Sequence, residues 1–343
     1  MRHPLRFTFH KQKGAFIDMA KAAIVFGGAG FIGSHLLSYL AATGEYDKLV
    51  SGDIQAPRFT VPGVEYAEVD VRKPIPADLC PGVTEIYNLA AIHTTPGYED
   101  WEYYWTNVLG ATHICDFARR LGVGRILFTS SISVYGSTEE IKDEDSPLTP
   151  ESAYGCSKLC AEKIHRLWQA EWPEERRVVV VRPAVIYGYT EHGNFTRLAQ
   201  LLRKRLFIFP GRTDTIKACG YVKDMVRSMR FMLDHPERVI TYNFCHAERY
   251  STAQICESFS RVAGYPRPKL IVPLAPMLFG GWIFEVLAKL GLKTSINRAR
   301  VMKLVRSNNI VPKRLAEYGF SYAFDLDASL ADWQKASSQG DFV

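Results

Sequence analysis

The chain has 343 residues, 47% hydrophobic and 23% charged, enough to bury a large core as one α/β domain with a smaller lobe. A net charge of +6, with basic residues scattered among acids as along Glu171–Arg177, reads as solvated surface with some bias toward anionic ligands and excludes a nucleic-acid footprint. Seven cysteines without a C-x-x-C imply reduced thiols in a cytoplasmic setting, with Cys156 and Cys160 expected to be small buried hydrophobes and no metal site.

Residues 1–18 lack a continuous apolar run, so they are expected to be an N-terminal extension and not a signal peptide. From Ala22 apolar runs alternate with amphipathic stretches. "AAIVFG" reads as a buried strand and Phe31–Thr43 as a helix ended by Gly44. "KLVSGD", "VEYAEVDV" and "VTEIYNLAA" follow as strands. A helical stretch around Trp101–Leu121 precedes the strand "RILFTSS". After an acidic, proline-rich loop come a helix from about Ala153 to Glu171 and the strand region "RVVVVRPAVIYG". Near-continuous Val/Ile/Leu strands separated by helices predict a Rossmann-type, doubly wound parallel sheet covered on both faces. Beyond Gly188 the rhythm loosens. One more strand is expected at 239–245, and Ser251 N-caps a helix closed by Gly264. The expected division is residues 1–18 as extension, 19–188 and 221–247 as the dinucleotide-binding domain, and 189–220 and 248–343 as a discontinuous substrate lobe. The uncharged run Leu270–Phe284 has fifteen residues, fewer than the ~20 needed to span a bilayer.

Glycines 27, 28, 30 and 33 lie between the first strand and helix. There, backbone N–H groups and the positive helix end would meet a pyrophosphate, and Gly33 would allow close helix–strand packing. Asp53 stands twenty residues past Gly33, where a carboxylate accepts from ribose hydroxyls and repels a 2′-phosphate. This predicts NAD over NADP. Farther on, Tyr154 and Lys158 are four apart at the start of a helix, on one face. An ammonium beside a phenol favours the phenolate, which would bring proton exchange toward neutral pH. Ser131, at a strand end, is placed to hydrogen-bond the reacting substrate oxygen.

"GGAGFIG", "DV" at 70–71, "NLAA", "TSSISVYG", "YGCSK", "RPAVIYG", "GYVKD" and "YNF" together resemble the extended short-chain dehydrogenases/reductases, in the NAD-dependent epimerase/dehydratase group. The resemblance spans about residues 22–325 and is looser in the second half. It implies Gly27, Gly30, Phe31, Ile32 and Gly33 at the phosphates, Asp53 at the ribose, and Asp70 and Val71 at the adenine. It also implies Leu89, Ala90 and Ala91 against the cofactor, Asn107 behind it, and Pro183, Val185 and Ile186 lining the nicotinamide. Tyr154 and Lys158 would serve nicotinamide ribose and substrate alike, with Ser131, His93, Asn194 and Lys217 on the substrate side. Plain structural roles stand beside several of these: a strand-end cap for Asp70, packing for the alanines, a helix-surface amide for Asn107, a helix cap for Asn194 and a solvated lysine for Lys217.

The segment Ser131-Ile132-Ser133 stands where 4,6-dehydratases resemble Thr-Asp-Glu, and it lacks the extra acid and base of water elimination. Val185 replaces an epimerase asparagine and Lys217 an arginine, which loses the bidentate fork. The expected function is a nucleotide-sugar epimerase working through a keto intermediate, as a homodimer pairing helices 101–121 and 153–171. The alternative is a dehydrogenase of a hydrophobic alcohol, resembling 3β-hydroxysteroid dehydrogenases, whose apolar segment would form a greasy lid or lie on a membrane. A non-catalytic NAD-binding regulator is a third reading, disfavoured because the Tyr/Lys pair is kept. The simplest expectation for Met277–Phe284 is packing within the small lobe.

Overall fold

The computed structural model describes residues 21–94, 97–289, 298, 302 and 305–343; the expected extension at 1–18 lies outside them. Strands β1 (Ala22–Phe26), β2 (Lys48–Asp53), β3 (Val64–Glu68), β4 (Val83–Asn88) and β5 (Arg125–Thr129) form most of the main sheet. A short pairing strand, β6 (Thr138–Lys142), precedes β7 (Arg177–Pro183). Farther along come β8 (Val185–Tyr187), β9 (Phe209–Pro210), β10 (Cys219–Tyr221) and β11 (Val239–Phe244). The main sheet has seven strands, in the order β3-β2-β1-β4-β5-β7-β11, and every neighbouring pair is parallel. The strand order reverses between β1 and β4, so the ligand crevice of such a sheet opens at their carboxyl ends.

The period-two alternation of β1 explains why AAIVF is wholly apolar. Ala23 and Val25 face a layer with Leu36, Leu37, Leu40 and Met225, whereas Ile24 and Phe26 face Ile114, Phe117 and Trp168. Helix α1 (Phe31–Thr43) ends at Gly44 in the left-handed region, φ 66°. The expected helix around 101–121 is not uniform: α2 (Asp100–Tyr103) passes through a π-helical stretch, Tyr104–Leu109, into α3 (Gly110–Arg120). Close approach at Gly110, where a Cβ would come 2.9 Å from Val71, and the anchoring of Asn107 described below fix this wider turn.

Helix α4 (Ala153–Ala170) is capped by Ser152 Oγ, which accepts from Gly155 N at 3.1 Å. Its inward face carries Lys158, Glu162 and His165. That period turns Cys160 to solvent and leaves Cys156 half-buried, correcting the expectation that both are buried.

The smaller lobe comprises α5 (Asn194–Arg203), α7 (Thr252–Ala263), β12 (Ile271–Val272), α8 (Leu274–Lys289), β13 (Asn308–Ile310), α9 (Lys313–Glu317) and α10 (Leu326–Ala336), whereas α6 (Val222–Asp234) packs on the main sheet beside α1. Parallel two-stranded pairs β8–β10, β9–β12 and β6–β13 hold the lobe to the sheet. Ser251 and Gln254 form a reciprocal capping box on α7, and Gly264 closes that helix as expected. Asp224 of the "GYVKD" stretch accepts from Ala323 N and Phe324 N, both at 3.0 Å, tying the C-terminal segment to α6. Met277–Phe284 corrects a second expectation. Gly281 is buried, but Phe279 and Trp282 are 62% and 47% exposed, so α8 packs through one face only.

Candidate active site

Gly27 leaves β1 with φ 79°, and a Cβ there would lie 2.7 Å from Ala90 N and the Leu89 carbonyl carbon. At Gly33 a Cβ would fall 2.2 Å from the Gly27 carbonyl oxygen. Both positions admit only glycine. Leu89 N donates to Phe26 O at 2.8 Å, so Leu89, Ala90 and Ala91 continue β4 alongside the turn. Gly30 caps α1 without a capping side chain, and a Cβ there would meet only the Gly27 carbonyl within 4 Å. The first N–H groups of the helix, from Phe31, Ile32 and Gly33, thus have neither a helical nor a capping partner and front open space, the requirement for binding an anion. At the ends of β4 and β5, Asn88 Oδ1 and Thr129 Oγ1 are buried without a hydrogen-bond partner among the described residues. These features fit a dinucleotide.

Asp53 ends β2. Its Oδ2 accepts from Ala29 N at 3.1 Å and its Oδ1 from Gln55 N at 3.0 Å, which fixes the carboxylate beside an open cleft lined by Ile54, Gln55, Tyr66 and Glu68. The charge there disfavours a second phosphate. Asp53→Ala is expected to narrow the preference for NAD over NADP by roughly tenfold or more, read by fluorescence titration with both cofactors. An unchanged ratio refutes the assignment. Asp70 is committed differently: Arg72 grips it through Nε at 2.8 Å and Nη2 at 2.9 Å, and that hydrogen-bonded guanidinium holds its carboxyl below the usual range. Val71 is buried against Gly110. Asn107 does not lie free on a helix surface. Its Oδ1 accepts from Ile92 N at 3.0 Å and its Nδ2 donates to Ser157 Oγ at 3.0 Å, locking the loop after β4 to α4.

Ser131 caps a 3-10 turn, Ile132–Tyr135, directly after β5. Its Oγ accepts from Ser133 Oγ at 2.8 Å and lies near enough to the Tyr154 phenol of α4 to favour its ionised form. The Tyr103 ring lies 6.1 Å from that of Tyr154. Burial pushes the Tyr154 phenol up to about 12, with the Ser131 hydroxyl acting in the opposite direction. Burial also pushes Lys158 down to about 7, partly offset by the negative charge of Glu162. The Lys158 ammonium lies 4.6 Å from the centroid of the Phe128 ring. The protein alone therefore does not bring the phenol near neutral pH: desolvation outweighs the interaction with Ser131.

Behind Lys158 lies a network that the sequence reading missed. Glu162, one helical period farther along α4, pairs with Arg182 of β7 through Nε–Oε1 at 2.9 Å and Nη2–Oε2 at 2.7 Å. Ser130 Oγ donates to Glu162 Oε1 at 2.5 Å, and Arg182 Nη1 donates to Tyr135 Oη at 2.7 Å. The i, i+4, i+8 spacing of Tyr154, Lys158 and Glu162 was the available signal.

The substrate-side residues are less concentrated. His93 stands on the loop after β4, with its pKa lowered by desolvation and then by the charges of Lys158 and Arg58. Arg58, also unforeseen, reaches from the loop after β2 to the Thr190 carbonyl at 2.6 Å. Thr190 and His192 have φ of 68° and 51°, a strained stretch leading into exposed Asn194. Glu191, not Asn194, caps α5 by accepting from Thr196 N at 3.0 Å. Lys217 has other neighbours: its ammonium donates to the Arg306 carbonyl at 2.7 Å, and burial pushes its pKa down to about 8. Pro183 ends β7 beside Phe244, and Val185 and Ile186 pair with the "CGY" strand β10.

A model of the NAD dependent epimerase/dehydratase family matches residues 23–245. Among curated proteins, the N-acetyl-alpha-D-glucosaminyl-diphospho-ditrans,octacis-undecaprenol 4-epimerase of Escherichia coli O157:H7 is 26% identical over 309 residues, covering 90% of this chain and 92% of that protein. The UDP-glucose 4-epimerase of Vibrio cholerae is 25% identical, with coverages of 81% and 84%. Among solved structures, MoeE5 in complex with UDP-glucuronic acid and NAD superposes with a TM-score of 0.72 at 23% identity, over 92% of this chain and 99% of that one, which shows the shared fold.

Proposed function

The chain belongs to the NAD-dependent epimerase/dehydratase family, and from that premise we propose that it epimerises a nucleotide-activated sugar. The observation that supports this reading is Ser131 against Tyr154, with buried Lys158 one helical period on, in a fold whose glycine turn fits a dinucleotide. The relatives named above as 4-epimerases, and the UDP-sugar and NAD held by MoeE5, support sugar and cofactor class. Residues 19–188 and 221–247 hold the cofactor in this reading, and 189–220 with 248–343 the sugar.

NAD, when bound, supplies the hydride acceptor and donor together with a positive ring that favours the Tyr154 phenolate. Tyr154 takes the proton of a sugar hydroxyl, Ser131 orients that oxygen, and Lys158 holds the phenolate charge. With the hydride chemistry that NAD would supply, the keto sugar would turn in the site and Tyr154 would return the proton to its oxygen. A regulator without activity has no use for this pair. A homodimer is part of the proposal, because Trp101, Tyr104, Trp105 and Leu167 expose apolar surface on the expected helices; a monomeric mass by light scattering overturns it. The seven free cysteines support a cytoplasmic setting.

The test is a panel of UDP-, GDP- and CDP-sugars, a polyprenyl-diphosphate sugar and sterol-like alcohols, read by NADH absorbance and product sugar analysis. Epimerised nucleotide sugar without net NADH is expected. NADH accumulating with an alcohol establishes the dehydrogenase alternative. Turnover of only the polyprenyl-linked sugar moves the carrier from nucleoside to lipid, a second reading favoured by the relative of that name and by the exposed apolar face of α8.

A further inference from the structure

Helix α8 presents to solvent an arc whose described side chains are all apolar. Phe279, Trp282, Ile283 and Leu287, at i, i+3, i+4 and i+8, are 62%, 47%, 39% and 36% exposed, and exposed Ala275 and Pro276 extend the same arc. Gly281, Met277, Leu278 and Phe284 occupy the opposite face. The arc is therefore not the unused margin of a core helix: the largest apolar side chains point outward.

The patch continues onto neighbouring backbone. Phe209 N donates to Leu270 O and Gly211 N to Val272 O, both at 2.8 Å, so the segment before β9 runs beside the one entering α8. These paired segments carry Leu206, Leu270 and Ile271, 63%, 59% and 49% exposed, the last two close in the chain to the start of α8. An exposed basic rim flanks it: Arg203, Lys204 and Arg205 on one segment, Arg267 and Lys269 on the other. The neighbouring acids are Glu257, 3.9 Å from Arg267, and Asp341, whose charge acts on Tyr265 between the two segments. Lys204, Arg205 and Lys269 have no acidic partner among the described residues.

Aromatic and branched apolar side chains beside unpaired cations match the interface of an anionic bilayer, where rings enter the acyl boundary and ammonium groups meet lipid phosphates. At sixteen residues α8 is too short to span, and among the described residues no helix is long and apolar enough to cross a membrane. We propose that the outer face of α8, with the Arg203–Leu206 and Arg267–Ile271 segments, docks the protein peripherally on an anionic membrane surface. The docking stands whether the sugar is carried on a nucleoside or on a lipid.

The test is flotation of the purified full chain with phosphatidylcholine vesicles and with vesicles containing one-third phosphatidylglycerol, at low and high salt. Binding to the anionic vesicles several-fold above the neutral ones, weakened by salt, is expected. Phe279→Ser/Trp282→Ser and, separately, Lys204→Glu/Lys269→Glu each weaken that binding about tenfold or more, with NAD titration unchanged. Wild-type protein that stays with the aqueous phase, or binds both vesicles equally, overturns the proposal. So does a light-scattering mass that falls in the Phe279→Ser/Trp282→Ser variant, because a second copy then covers the face.

Discussion

Replacing Tyr154 by phenylalanine is expected to lower epimerisation by roughly 10²–10⁴-fold while leaving NAD affinity within about twofold. The ring and its packing against Tyr103 remain, so the substitution removes one hydroxyl. Its neighbour Ser131 keeps the donors Ser133 N at 3.2 Å and Ser133 Oγ at 2.8 Å. Stability should therefore change little. The groups that fit the dinucleotide, the glycine turn and Asp53, lie on other elements and are untouched. What disappears is the atom that exchanges the substrate proton. Lys158 does not occupy its place, because its ammonium lies over the Phe128 ring and is held by the charge of Glu162. The measurement is product sugar analysis under saturating substrate, beside fluorescence titration of NAD. Activity retained in the variant would sink the proton-transfer role.

Local constraints were legible in the sequence; long-range ones were not. The helix Phe31–Thr43, the wholly apolar β1 and the α7 cap at Ser251 follow from period, propensity and capping within one stretch of chain. Gly33 is readable for the same reason, because the contacts that forbid a side chain there come from the turn itself; those at Gly27 come from Leu89 and Ala90, and only its positive φ is local. Tyr154 and Lys158 emerge from one helical period. Asp70 shows the limit even nearby: its grip by Arg72, two residues on, is not signalled by either residue's place in the sequence. The partners of Glu162 stand 32 and 20 residues away on different strands, and Arg58 meets Thr190 across 132 residues. Only the folded sheet brings them together. The outward turn of α8 was hidden for another reason. A helix apolar on both faces has no periodic signal to say which face the lobe covers.

The Glu162–Arg182 pair carries the second large effect. Both side chains are almost wholly buried, 2% and 4% exposed, and Ser130 and Tyr135 satisfy further hydrogen bonds. Glu162→Gln leaves the guanidinium charge buried without its counter-ion, which costs about 3–5 kcal/mol. For a chain of this size that lowers the melting temperature by roughly 4–10 °C in calorimetry. A second signature separates positioning from mere support. Glu162 is the charge that raises Lys158 against its burial, so its loss moves the lysine pKa farther down from about 7. Lys158 acts as a cation, and activity depending on it falls as pH rises through that pKa. The alkaline limb of the pH profile should therefore move to lower pH in the Gln variant. Combining Glu162→Gln with Arg182→Met removes the stranded charge and should recover much of the lost stability, because no unpaired ion remains in the core. It should not restore the limb, since the carboxylate facing Lys158 is still missing. A Gln variant that melts with the wild type and keeps its pH profile shows instead that the pair neither stabilises the sheet nor tunes the lysine.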